Sequence, residues 1–128
     1  MALDERIRVV DVTTPAGTTQ SAPQITAVDL GDALVNSVYL RIPPGHGGLT
    51  GWQLQKSGNA LVPFDQLDGW ITGDNEVATF VINTEITTGL AIVTYNIGTY
   101  PHTHYCRFNY TPISATSTTD GTVPILSL

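Results

Sequence analysis

From Ser37 to Ile42 the chain alternates without a break: Val38, Leu40 and Ile42 point one way, and Ser37, Tyr39 and Arg41 the other. A period of two sends successive side chains to opposite faces of an extended strand, so this stretch reads as a half-buried antiparallel strand. The same short period recurs along the chain, interrupted roughly every 8 to 15 residues by Gly, Pro, Asn or Asp. Nineteen Thr, ten Ile and eleven Val make 40 of the 128 residues β-branched. Such side chains are stiff at χ1 and pack well on pleated surfaces. No window carries a helical period. The expected fold is all-β: a β-sandwich or jelly-roll-like antiparallel domain of about eight strands.

Strands are expected over residues 6–14, 25–30, 37–42, 49–56, 60–64, 76–82, 89–99 and 104–110, with a short one at Trp70 and Ile71. A single helical turn around residues 32–35 is compatible with this class. The inward faces of the last three long strands read as Ala78, Phe80 and Ile82, then Ala91, Val93, Tyr95 and Ile97, then Cys106, Phe108 and Tyr110. Pro43 and Pro44 remove two ladder donors and stop the strand before them. Residues 57–59, Ser-Gly-Asn, offer a hairpin turn. Residues 15–23 are small and polar with two prolines, which reads as a loop or flexible joint. The expected organisation is an N-terminal arm or strand with a linker over 1–23, a sandwich over 24–112 and a tail over 113–128. In that tail a polar run (114–121) precedes a short apolar stretch (123–128).

Charge narrows the partners. Only 12% of residues are Asp, Glu, Lys or Arg, the net charge is −6, and the five basic residues (Arg6, Arg8, Arg41, Lys56, Arg107) are scattered. A phosphate-binding groove needs clustered Lys and Arg, so neither nucleic acid nor an anionic membrane is expected as a partner. No apolar run approaches the roughly 18 residues of a spanning helix. Charges at Asp4, Glu5 and Arg6 stand where a signal peptide needs its apolar stretch, which predicts synthesis in a cytoplasm. With 41% apolar residues the chain buries a core without a cofactor, and its single cysteine forms no internal disulfide.

Catalytic constellations are sparse. His102 and His104 lie two apart on one strand face, and with His46 they are candidates for a three-ligand metal site. Against that, His104 shares its parity with Cys106, Phe108 and Tyr110, which makes it a hydrogen-bonded residue at the end of a core face. Cys106 falls mid-strand on the apolar parity, where a thiol is inert. Asp65 with Asp68, and Asp74 with Glu76, are candidate calcium ligands or solvated turn residues. The glycines at 45, 47, 48 and 51 follow a diproline and precede no helix, so they form no phosphate cradle. Trp52 and Trp70 with Tyr39, Tyr100 and Tyr105 suit a sugar-stacking platform, a core or a subunit interface. Nothing assembles a nucleophile with a base or an acid–base pair, so no enzyme and no cofactor is expected.

The stretch Ile42-Pro43-Pro44-Gly45-His46-Gly47-Gly48-Leu49-Thr50-Gly51 resembles a motif of small virion proteins of tailed bacteriophages. The pattern continues through Gly69-Trp70-Ile71-Thr72-Gly73-Asp74 and through Tyr95-Asn96 to Pro101-His102-Thr103-His104, covering residues 25–110. The resemblance implies a structural protein of the particle, foremost a decoration or cement protein on the outer capsid surface. Proteins of that group are β-rich, commonly trimeric or otherwise small symmetric oligomers, and have no active site. The implied partners are the major capsid protein and like subunits, and the implied location is the virion. A tail, baseplate or fibre component is the alternative within that group, and a carbohydrate-binding β-sandwich module is the alternative outside it.

The interface candidates are Arg6, Arg8, Tyr39, Arg41, His46, Trp52, Trp70, His102 and Tyr105, of which Tyr39, Arg41 and Tyr105 fall on outward parities. The arginines at 6 and 8 are expected to meet an acidic surface from the arm. Outward positions rich in Thr, Ser, Gln and Tyr can be covered by a partner without stranding ions.

Overall fold

The computed structural model describes residues 4–64 and 69–113. Asp65 and Asp68, and the stretch 114–128, lie outside the described residues. Eight strands follow in chain order: β1 (Arg6–Thr14), β2 (Gln24–Ala27), β3 (Ala33–Ile42), β4 (Thr50–Lys56), β5 (Asn59–Val62), β6 (Glu76–Ile86), β7 (Leu90–Asn96) and β8 (His102–Pro112). None of the described residues is α-helical.

The pairing is nested. β4 pairs with β5, β3 with β6, β2 with β7 and β1 with β8, all antiparallel. The chain is thus one long hairpin whose tip is the two-residue turn Ser57-Gly58, both at positive φ (50° and 83°), the conformation that matches strand twist. Rolled up, the hairpin adds the pairs β3–β8 and β4–β7 and gives two four-stranded sheets. Sheet A has the order β1-β8-β3-β6 and sheet B the order β2-β7-β4-β5, which is a jelly roll.

Between the sheets lie Val35, Val38, Leu40 and Phe108 from sheet A and Trp52, Leu54, Leu90 and Ile92 from sheet B, all essentially inaccessible. Val35 and Val38 are three residues apart, yet both face inward because a bulge between Val35 and Ser37 resets the parity. Residues 33–35, compatible with a helical turn on sequence, are the start of β3.

Two sequence expectations are corrected. The first concerns the N-terminal segment, expected as an arm or a strand: it is β1, an edge strand of the sandwich, in register with β8 from Arg6–Tyr110 to Thr14–His102. Val12 and Thr14 are buried, and the Thr14 hydroxyl is hydrogen-bonded at 2.7 Å to the Thr94 hydroxyl on β7 of the other sheet. The joint that follows is pinned too, since the Asn96 amide donates to the Thr18 carbonyl at 2.8 Å. The second concerns β7, where Leu90 and Ile92 belong to the core rather than the opposite parity. Val93 and Tyr95 are buried on the other face of sheet B, because residues 69–71 cross over it. Ile97 lies beyond β7 and is exposed.

Candidate functional site

The outer face of sheet A carries three rows fixed by strand register. Asp11, Tyr105, Arg41 and Val77 form one, Val9, Arg107, Tyr39 and Thr79 the next, and Ile7, Asn109, Ser37 and Val81 the third. Ile7, Val9, Val77 and Val81 are each more than half exposed. The Arg107 guanidinium sits 5.3 Å from the centre of the Tyr39 ring, a cation–π contact. Val9, Asp11, Tyr39, Arg41, Tyr105 and Arg107 outline a shallow depression of about 330 Å³. The ion pair found among the described residues lies elsewhere, between Arg6 and Asp4 at 2.8 Å. Arg41 and Arg107 therefore present cationic heads free of carboxylate partners within the described residues, between two tyrosines and an apolar rim.

Of the nine interface candidates, this face brings together Tyr39, Arg41 and Tyr105. It adds Arg107, Asp11, Val9 and Ile7, which parity along single strands does not gather. Arg6 and Arg8 share the parity of Val10 and Val12 but lie beyond the core, exposed and on the other side of β1 from Val9. Trp52 and His46 are corrected: both are fully buried and face no partner. The Trp52 indole stacks at 6.1 Å on Phe80, and its N–H donates to the Cys106 sulfur at 3.2 Å. A buried Trp52 also removes one leg of the sugar platform. Trp70 is half-buried and meets Tyr95 edge-on at 4.9 Å, so it covers its own sheet B, helped by the Gln53 side chain donating to the Gly69 carbonyl at 2.7 Å.

His46, His102 and His104 do meet, at the end of the sandwich where β3 passes to β4. The loop that carries His46 closes around Asp74, whose Oδ1 accepts the Gly45 and Gly47 amides at 2.8 and 2.9 Å. Those bonds hold the Asp74 carboxyl below its ordinary range, the Gly47 amide foremost. Gly45 and Gly47 adopt φ of 108° and 57°, a region costly for side-chain-bearing residues, which explains the glycines around the diproline. The loop turns His46 inward, with its ring 4.6 Å from His102 and 4.8 Å from His104.

Hydrogen bonding fixes the tautomers. His46 Nε2 lies 3.0 Å from the Thr103 carbonyl, which only accepts, so Nε2 carries the proton. His46 Nδ1 then accepts from the Thr50 hydroxyl at 2.6 Å. The Thr50 oxygen is left to accept a long contact from His104 Nε2 at 3.5 Å. His104 Nδ1 remains a buried acceptor without a partner. Burial, followed by the neighbouring His46 and His102, pushes His104 down to about 3, and burial lowers His46 as well. Both nitrogens of His46 are committed, so the trio is a packed stack, and no group of three or more His, Cys, Asp or Glu converges as a ligand set among the described residues. Burial pushes the Cys106 thiol up to about 12, which leaves essentially no thiolate at neutral pH.

No family model matches the chain, and no curated protein matches it. Among solved structures it is similar to a chain of the Bacillus endospore appendages, described as a novel family of disulfide-linked pili. The TM-score is 0.52 at 15% identity, over 89% of this chain and 93% of that one. At that identity the likeness shows a shared all-β fold across nearly the whole domain.

Proposed function

We propose that this protein is a non-catalytic structural subunit, a capsid decoration protein of a tailed bacteriophage that binds the outer capsid surface as a small symmetric oligomer. The observation that carries this reading is the outer face of sheet A: two tyrosines, two arginines without a described carboxylate partner and four exposed aliphatic residues on one rigid sheet. Aromatic residues and arginine are the types enriched where proteins meet, and a sheet presents them without an ordering cost. Multiple copies around symmetry axes would multiply contacts that are weak singly. The motif segments shared in style with virion proteins supply the particle. Mixing the purified protein with capsids that lack it tests the reading: binding with a gain in capsid heat stability is expected, and neither occurring would sink it.

The structural likeness to a pilus chain favours a second reading, a subunit of a filament. That neighbour belongs to disulfide-linked pili, whereas the single cysteine of this sequence is buried and accepts a hydrogen bond from the Trp52 N–H, so a filament of this chain would be held by non-covalent contacts. Negative-stain imaging of concentrated protein separates the two. Filaments favour the second reading, and discrete oligomers that bind capsids favour the first.

A further inference from the structure

Tyr39 and Arg41 on β3 lie opposite Arg107 and Tyr105 on β8. The centre of the outer face of sheet A is therefore a checkerboard, in which each arginine has a tyrosine across from it and a tyrosine two residues along its own strand. Around this centre the rows end in Ile7 and Val81, in Val9 and Thr79, and in Asp11 and Val77, the first of each pair on β1 and the second on β6. Elsewhere the scarce cations are taken up within the chain: Arg6 pairs with Asp4, and the Lys56 ammonium donates to the Glu85 carbonyl. Here Arg107 stacks on Tyr39 instead of pairing with Asp11, its diagonal neighbour, and no described carboxylate pairs with Arg41.

We infer that this face packs against the same face of a second copy, about a two-fold axis that runs along the strands between β3 and β8. Such an axis exchanges β3 with β8 and β1 with β6 and keeps each row on itself. Arg41 of one copy then lies over Tyr105 of the second, and Arg107 over Tyr39, so the arginines meet aromatic rings and never each other. Ile7 lies over Val81, Val9 over Thr79 and Asn109 over Ser37, and the symmetry makes every pairing twice. Asp11 falls against Val77 at the edge of the sheet, where water still reaches the carboxylate. A two-fold across the strands through the Arg107 row would instead set Arg107 on Arg107 and Ile7 on Asp11, which like charge and a covered carboxylate oppose. With the axis along the strands the two sheets are aligned, a packing that sheet twist opens to about 30°. Four strands of 9 to 11 residues, about 4.8 Å apart, give roughly 600 Å² of face per copy, so two copies bury roughly 1,200 Å², above the roughly 1,000 Å² that a specific contact needs. This packing rests on the reading of the face as the assembly surface, and it makes a like subunit, not the capsid protein, the occupant.

Disulfide cross-linking of the full chain tests this. Within one copy Ile7 and Val81 stand at opposite edges of sheet A, three strand spacings or about 14 Å apart, too far for a disulfide, whereas across the axis they meet. Mixing Ile7→Cys protein with Val81→Cys protein under oxidising conditions should link the two variants. Each variant alone should link at least tenfold less, because the axis leaves its two cysteines at opposite edges, and the buried Cys106 takes no part. Light scattering of the unchanged chain should give twice the mass of one chain, and Arg41→Glu with Arg107→Glu should raise the dissociation constant of that dimer at least tenfold with an unchanged far-UV spectrum. A monomeric mass at millimolar concentration, a trimer, or a dimer in which the mixed pair links no faster than either variant alone overturns the inference. A monomer that still binds capsids overturns the second copy while the decoration reading stands, with the capsid as occupant. A cross-linked dimer that binds no capsid supports the second copy and sinks the decoration reading.

Discussion

His46 and His104 meet edge to face at 4.8 Å inside the sandwich, and the nitrogen left over, His104 Nδ1, has no partner. Protonating His104 would bury an unpaired N–H beside two other imidazoles. Its folded pKa of about 3 lies below the ordinary 6.5, so between those values the unfolded chain binds more protons than the folded one. Stability is therefore full above pH 6.5 and is lost as pH falls from 6.5 toward 3, at roughly 1.4 kcal/mol per pH unit per such histidine. Urea midpoints should drop steadily from pH 7 to pH 5, and His104→Leu should flatten that slope. An unchanged slope in the variant would contradict the assignment.

Sheet B depends on a missing side chain. A Cβ on Gly51 would overlap the edge of the Tyr95 ring, which is itself held edge-on by Trp70. Gly51→Ala should destabilise the domain by about 1–3 kcal/mol through overpacking, and Tyr95→Leu should relieve part of that loss in the double variant. Chemical denaturation of the four proteins in the cycle provides the measurement. Additive effects would place the strain elsewhere.

The class and most strand positions were legible because alternation along a strand is a local signal. Register and bulges are not local. β3 begins at Ala33, but the bulge after Val35 breaks the parity, so the alternation visible in sequence starts only at Ser37. β7 is buried on both faces, and in such a strand alternation says nothing about which face is the core. On the candidate surface, Tyr39, Arg41 and Tyr105 were readable by outward parity. The partnership of Arg107 with Tyr39 was not, since it depends on β3 lying beside β8.

Because β1 is a strand and not an arm, removing residues 1–14 should abolish cooperative unfolding instead of yielding a trimmed sandwich. Nine register pairs with β8 would be lost, and the core would lose the cover of Val12. Calorimetry of the truncated chain should show no sharp transition. A cooperative transition near that of the full chain would restore the arm reading.

Cys106 is 2% exposed and accepts the Trp52 N–H, with its thiol pushed up to about 12 by burial. A disulfide reagent at pH 8 should therefore leave the native protein unmodified and react fully once denaturant unfolds it. Rapid labelling of native protein would mean that the sheets part at this point on the reagent's timescale.

The outer face of sheet A separates folding from assembly, because its side chains are exposed and their replacement opens no cavity. Exchanging Arg41 and Arg107 for Glu reverses the charge of the depression but removes no core contact, although the stacking of Arg107 on Tyr39 is lost. Exposed changes of this kind typically shift stability by about 0.5 kcal/mol, while charge reversal at a docking face costs an interface far more. Arg41→Glu with Arg107→Glu should thus unfold near the parent's temperature yet lose at least tenfold in affinity for capsids or for like subunits, as read by co-sedimentation. Arg6→Glu with Arg8→Glu, on the other side of β1, should change binding much less. If the second pair abolished binding and the first did not, the docking surface would be the N-terminal end of β1 instead of the face built around Tyr39 and Arg107.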